Sequence, residues 1–168
     1  QRAYLMGRNG QVPLGGVAMH DFRQFYCDLS LKELTTAMRA LAQQHSALRT
    51  VIDETQYTQT VLEDVVLNID HYDLSQHSET DAEQELERLQ EQYSHNILPL
   101  DNPLWRMCLI QLPPALQQDT FSALLLTSFD GLILDGYAIS VLLNTLFNQE
   151  PYEPSTMTSN TSPSYFAN

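Results

Sequence analysis

Two carboxylates stand close together in the segment Ser128-Phe129-Asp130-Gly131-Leu132-Ile133-Leu134-Asp135-Gly136-Tyr137. The residues between Asp130 and Asp135 are apolar or glycine. The pair falls where a strongly apolar strand pattern gives way to a helical one. Such a junction delivers side chains to the end of a sheet, where clefts open. A carboxylate there can orient an ammonium group or accept a proton in a transition state. Asp135 also has a plainer reading. As N-cap of the helix that follows, with or without an arginine partner, it would satisfy free amides and meet the positive end of the helix dipole. Asp130 has no helix end to cap, and at the end of a strand it is the better candidate for touching substrate. No third ligand lies near the two aspartates, so a bound divalent ion is not expected. His20, His45, His71, His77 and His95 lack metal-ligand spacing and read as surface or packing residues, with His45 well placed at a helix end. A Gly-rich phosphate loop is missing, and Ser128 and Ser140 lack the flanking glycines of a nucleophile elbow.

The elements that must carry these residues can be read from periodicity. Residues 17–27, rich in aromatic and β-branched types, predict a strand. Ser30 and Glu33 form a capping box, followed by Leu31, Leu34, Met38, Leu41 and Ala42 at helical spacing to about His45. Short strands are expected near 48–52 and 65–72, with a hairpin strand around Gln56, Tyr57 and Gln59. Thr80 and Glu83 suggest a second capping box, with Ala82, Leu86, Leu89 and Tyr93 on one face of its helix. The glutamates at 79, 83, 85, 87 and 91 read as a solvated outer face. Strands are expected at 104–112 and 120–129, the second apolar enough to lie in the middle of a sheet. A helix follows over 136–147. Residues 151–168 are rich in Pro, Ser and Thr and read as a polar linker. The order of elements predicts an α/β layered domain, helices packed on a mixed sheet.

Composition narrows the function. The 168 residues are 43% hydrophobic and 17% charged, a globular profile suited to one domain. The formal net charge is −13, and Lys32 is the only lysine. A surface this acidic repels phosphate backbones and anionic lipid, so neither nucleic acid nor membrane is an expected partner. No apolar run approaches the roughly 18 residues of a membrane span. Cys27 and Cys108 fall in strand-like segments and read as a buried, reduced pair, which fits a cytoplasmic protein.

Several segments, in order, resemble one family. Gln1-Arg2-Ala3-Tyr4-Leu5-Met6-Gly7-Arg8 resembles the opening motif of the heterocyclisation domains of nonribosomal peptide synthetases, a branch of the condensation domains. Pro13-Leu14-Gly15-Gly16-Val17-Ala18 is similar to the segment that follows it there. Gln44-His45-Ser46-Ala47-Leu48-Arg49 resembles the family's R-H-P-x-L-R stretch with the first arginine and the proline replaced. Leu98-Pro99-Leu100 to Pro103-Leu104-Trp105 resembles a further segment. Asp130 and Asp135 fit the signature D-x-x-x-x-D-x-x-S, except that its serine is Ala138 here. In ordinary condensation domains the same place reads H-H-x-x-x-D-G, so Asp130 and Gly131 stand where the two histidines would be.

The resemblance implies a chloramphenicol-acetyltransferase-like fold of two lobes with a tunnel between them. Residues 1–150 would form the amino-terminal lobe, and 151–168 would lead to a carboxy-terminal lobe outside this sequence. It implies amide formation between an acyl thioester and a carrier-bound cysteine, serine or threonine, then cyclodehydration to a thiazoline or oxazoline. Asp130 would be catalytic, and Asp135 catalytic or structural. No cofactor would be bound directly, because phosphopantetheine arrives on the upstream and downstream carrier domains. This lobe alone is expected to be inactive. Two other functions remain open: a degenerate condensation-like module kept for docking or bracing, which Ala138 motivates, and a separate acyltransferase of the same fold, which the absent histidine disfavours.

Overall fold

The structure is a computed structural model, and it describes residues 19–95 and 97–148. The opening motif, the 13–18 segment up to Ala18, and the proposed linker 151–168 lie outside the described residues. The chain runs β1 (His20–Cys27), α1 (Leu31–Gln44), β2 (Thr50–Asp53), β3 (Thr58–Val61), β4 (Ile69–Asp73), α2 (Glu79–Ser94), β5 (Trp105–Gln111), β6 (Ala123–Asp130) and α3 (Gly136–Asn148). A four-stranded sheet has the order β1-β6-β5-β4, and β2 and β3 form a separate hairpin. β4 and β5 are parallel, joined through α2, while the other two pairings are antiparallel. This is the mixed α/β sheet that the sequence predicts.

Period-2 alternation divides the sheet's side chains between two faces. On one face Met107, Leu109, Ala123, Leu125 and Phe129 pack against Leu34, Met38, Leu41 and Ala42 of α1 and Ile139, Leu142, Leu143 and Leu146 of α3. On the other, Cys108, Ile110, Leu124 and Leu126 pack against Ala82, Leu89 and Tyr93 of α2. β6 is covered on both faces and is buried along its whole length, which explains its unbroken apolar sequence. Cys27 and Cys108 are free thiols in this core. Burial pushes the Cys108 thiol up to about 12, so it stays protonated.

The helix starts follow local chemistry. At α1, Glu33 N donates to Ser30 Oγ at 3.3 Å and Ser30 N donates to Glu33 Oε2 at 2.9 Å, a complete capping box. At α2 the sequence reading needs correction. The cap is Ser78, whose Oγ accepts from Asp81 N at 3.2 Å, and Thr80 and Glu83 lie inside the helix. The expected strand at 48–52 is also shifted. Leu48 and Arg49 belong to a 3₁₀ turn over Ser46–Arg49, closed by Thr50 Oγ1 on Ser46 O at 2.9 Å, and pairing begins at Thr50. Of the strand expected at 65–72, pairing begins only at Ile69. Val65 and Leu67 pack against the core outside the ladder, which gives them an apolar sequence without strand geometry.

Candidate functional site

The Asp130–Asp135 loop is fixed at three points. Asp130 is the last residue of β6, and its amide donates to Leu104 O at 2.9 Å. Its Oδ1 accepts from Leu132 N at 2.9 Å, and its carbonyl accepts from Ile133 N at 3.3 Å. These two bonds make a side-chain-braced turn. Leu132 then inserts among Ile52, Leu98 and Leu104, a small cluster of its own. Asp130 caps no helix, as the sequence predicts, but it has a local structural task in bracing this turn. It is also only 3% exposed, so within this chain its carboxylate lies inside the sheet end and not on an open surface.

Asp135 sits one residue before α3. Ala138 N donates to its Oδ1 at 2.8 Å, and Ile139 N donates to its carbonyl at 3.0 Å. That is N-cap geometry. Among the described residues no arginine pairs with it. The cation that holds this helix end is Arg23 on β1. Its Nη1 donates to Ser140 Oγ at 2.9 Å and its Nη2 to Gly136 O at 3.4 Å. Its Nε and Nη2 also grip both oxygens of Asp21 at 2.8 and 2.9 Å. Ser140 in turn donates to Gly136 O at 2.8 Å. The two-residue spacing of Asp21 and Arg23 on a strand was a legible sign that they share a face. Their target on α3 was not, because it depends on β1 pairing with β6.

Gly131 explains itself by proximity. Its amide donates to Met19 O at 2.7 Å. A Cβ on Gly131 would come within 3.1 Å of Met19 Cβ and 3.2 Å of Met19 O. A β-carbon at this position would therefore need Met19, just before β1, to give way by a few tenths of an ångström. Ala138 lines a hollow of about 190 Å³ together with His45, Leu134, Tyr137, Val141, Leu142 and Thr145. Tyr137 beside it is 81% exposed.

Among the histidines, His20 is half-buried and has a partner at each ring nitrogen. Its Nδ1 meets Ser94 O at 3.2 Å and its Nε2 meets Ser128 Oγ at 2.5 Å. A carbonyl only accepts, so Nδ1 carries a proton toward Ser94, and the serine hydroxyl is the partner of Nε2. His20 is also the cross-strand partner of Asp130. Farther along the same face, Asp70 Oδ2 accepts from Arg106 Nε at 2.7 Å and from the Tyr93 hydroxyl. The Arg106 guanidinium lies 4.5 Å over the Tyr93 ring. Burial and the bond to Asp70 push the Tyr93 phenol well above its ordinary range. Among the described residues no group of three or more His, Cys, Asp or Glu is placed to hold a metal ion. No described helix is long and apolar enough to cross a membrane.

Residues 23–163 match the condensation-domain family, and the chain belongs to that family. Two solved forms of the EpoB NRPS cyclization-docking bidomain from Sorangium cellulosum share its fold. One is 24% identical with a TM-score of 0.73, covering 91% of this chain and 31% of that one. The other is 23% identical with a TM-score of 0.75, covering 91% and 30%. A condensation domain for chain release from the enacyloxin polyketide synthase is 22% identical with a TM-score of 0.54, covering 76% and 24%. A search of curated proteins gave no match. The chain therefore spans about a third of the bidomain chains it matches.

Proposed function

We propose that this chain is the amino-terminal lobe of a heterocyclisation domain in a nonribosomal peptide synthetase. The observation that carries the reading is the pair Asp130–Gly131 at the end of β6. A carboxylate and a glycine packed close against Met19 stand where a condensation domain has two imidazoles, and Asp135 follows at the spacing of the heterocyclisation signature. The likeness in fold to a cyclization domain supports it.

In the proposed reaction the amine of a carrier-bound cysteine, serine or threonine attacks an acyl thioester. The C–N bond forms and the C–S bond breaks. The thiolate leaves on the phosphopantetheine arm of the upstream carrier, and Asp130 takes up the proton that the amine sheds. The side-chain thiol or hydroxyl of the new residue then adds to the amide carbonyl. Loss of one water completes the thiazoline or oxazoline ring. Both acyl groups come on carrier domains, so no cofactor is assigned to this lobe, and a second lobe would close the tunnel. The cytoplasm is the proposed setting.

A second reading rests on Ala138, which removes the hydroxyl of the signature. Ser140 is no substitute for it, since its Oγ is bonded to Arg23 and Gly136. On that reading the lobe only docks carriers or braces the multienzyme. Reconstitution of the complete domain with both loaded carriers, read by mass spectrometry, separates the two. Condensed product that has lost one water supports heterocyclisation; intact carriers with no new amide support the docking role.

A further inference from the structure

His20 and Asp130 are directly opposite each other where β1 pairs with β6. The bond from Gly131 N to Met19 O, one residue outside that pair on each strand, marks it as non-hydrogen-bonded. Non-hydrogen-bonded pairs bring the two Cα atoms to about 4.5 Å, with their side chains on one face and at the closest cross-strand spacing. Ser128, two residues before Asp130, shares that face, and its hydroxyl meets His20 Nε2 at 2.5 Å. The other ring nitrogen is held by Ser94 O at the end of α2. The imidazole is thus pinned at both nitrogens, from two different elements, beside the one carboxylate to which the proposed chemistry assigns a proton.

Two anchors on different elements fix the tilt of the ring, which matters when a neighbour must keep one pose. We propose that His20 is a positioning residue for Asp130: tied to Ser94 and Ser128, it forms the wall from β1 that holds the carboxylate in its working orientation. This rests on the heterocyclisation reading above. It adds to that reading a residue outside the aspartate signature, contributed by another strand.

The test uses the complete synthetase domain with both loaded carriers. His20→Asn keeps an amide able to donate to Ser94 O and loses the Nε2 side. Ser128→Ala keeps the ring and frees its Nε2 end. The expected result is a lower kcat for amide and ring formation with KM unchanged, by up to about 10²-fold for His20→Asn, the loss a misplaced catalytic group produces. Ser128→Ala should change kcat in the same direction by less. Native melts with unchanged kcat in both variants would overturn the proposal. If His20→Asn fails to fold, Ser128→Ala decides. Imidazole nitrogen NMR of His20 supplies a readout independent of turnover. Asp130→Asn should move the His20 ring resonances, and resonances that stay in place would overturn the coupling. A wild-type domain that makes neither amide nor ring would count against the functional reading, while the NMR comparison would still decide the role of His20.

Discussion

Arg23 on β1 reaches Ser140 on α3, with Nη1 2.9 Å from Oγ, and through it fixes the first turn of the helix that Asp135 caps. The Arg23–Asp21 pair itself is about one third exposed, with side-chain exposures of 32% and 26%, so its ion pairing alone contributes little. The bonds to α3 are the informative ones. Ser140→Ala should cost about 0.5–1.5 kcal/mol, the net value of one hydrogen bond. A double-mutant cycle with Arg23→Ala should show a coupling of at least about 0.5 kcal/mol, as expected of groups in one network. Additive losses in denaturant melts would mean that the two side chains act separately.

Asp135→Ala removes an N-cap and should cost about 0.5–2 kcal/mol of stability. Asp135→Asn should restore most of it, because asparagine caps as well as aspartate. Activity of the complete domain should return together with stability in the Asn variant. A stable Asp135→Asn protein that forms no product would move Asp135 from the helix cap into the chemistry.

Gly131 lies close against Met19, and its backbone angles do not require glycine. Gly131→Ala should therefore behave as overpacking and cost about 1–3 kcal/mol. Gly131→His should be at least as unstable. A thermal melt equal to that of the parent would show that β1 yields easily at Met19.

The capping box predicts an acid-sensitive helix start. The hydrogen bonds from the Ser30 hydroxyl and amide hold the Glu33 carboxyl below its ordinary range. A lowered folded value means that this stabilisation is complete above the unfolded value of about 4.3 and is lost as pH falls through the folded one. Glu33→Ala should accordingly be less stable than the parent at neutral pH. The gap between their melts should close as pH drops below about 4. A gap that is constant from neutral to acid pH would show that the carboxylate is not the active partner.

Much of this architecture is legible in the chain because it is local. The Ser30 box, the α1 stripe of Leu34, Met38 and Leu41, and the central β6 follow from spacing within a few residues. The errors also have local causes. Thr80 and Glu83 match the capping pattern as well as Ser78 and Asp81 do, and only the backbone decides which hydroxyl meets a free amide. Leu48 looks like a strand residue because it is apolar and buried, yet the Trp105 indole donates to its carbonyl at 2.8 Å and holds it in a turn. The aspartate pair stood out by residue type alone. Its surroundings did not, because His20, Met19 and Arg23 reach the loop through strand pairing across more than a hundred residues of sequence. No local pattern encodes that pairing.

The central claim is that the Asp130 carboxylate takes part in the reaction and does more than brace its own turn. Asp130→Asn keeps the shape, and its side-chain oxygen can still accept from Leu132 N, so the fold should survive. The decisive measurement is product formation by the complete domain carrying Asp130→Asn, with both carriers loaded, next to a thermal melt of the same protein. The account predicts a native melt and a fall of about 10²–10⁴-fold in both amide and ring formation, as for a lost general base. A stably folded Asn variant that makes the ring at the parent's rate would contradict it and leave Asp130 as a structural residue of the β6 turn.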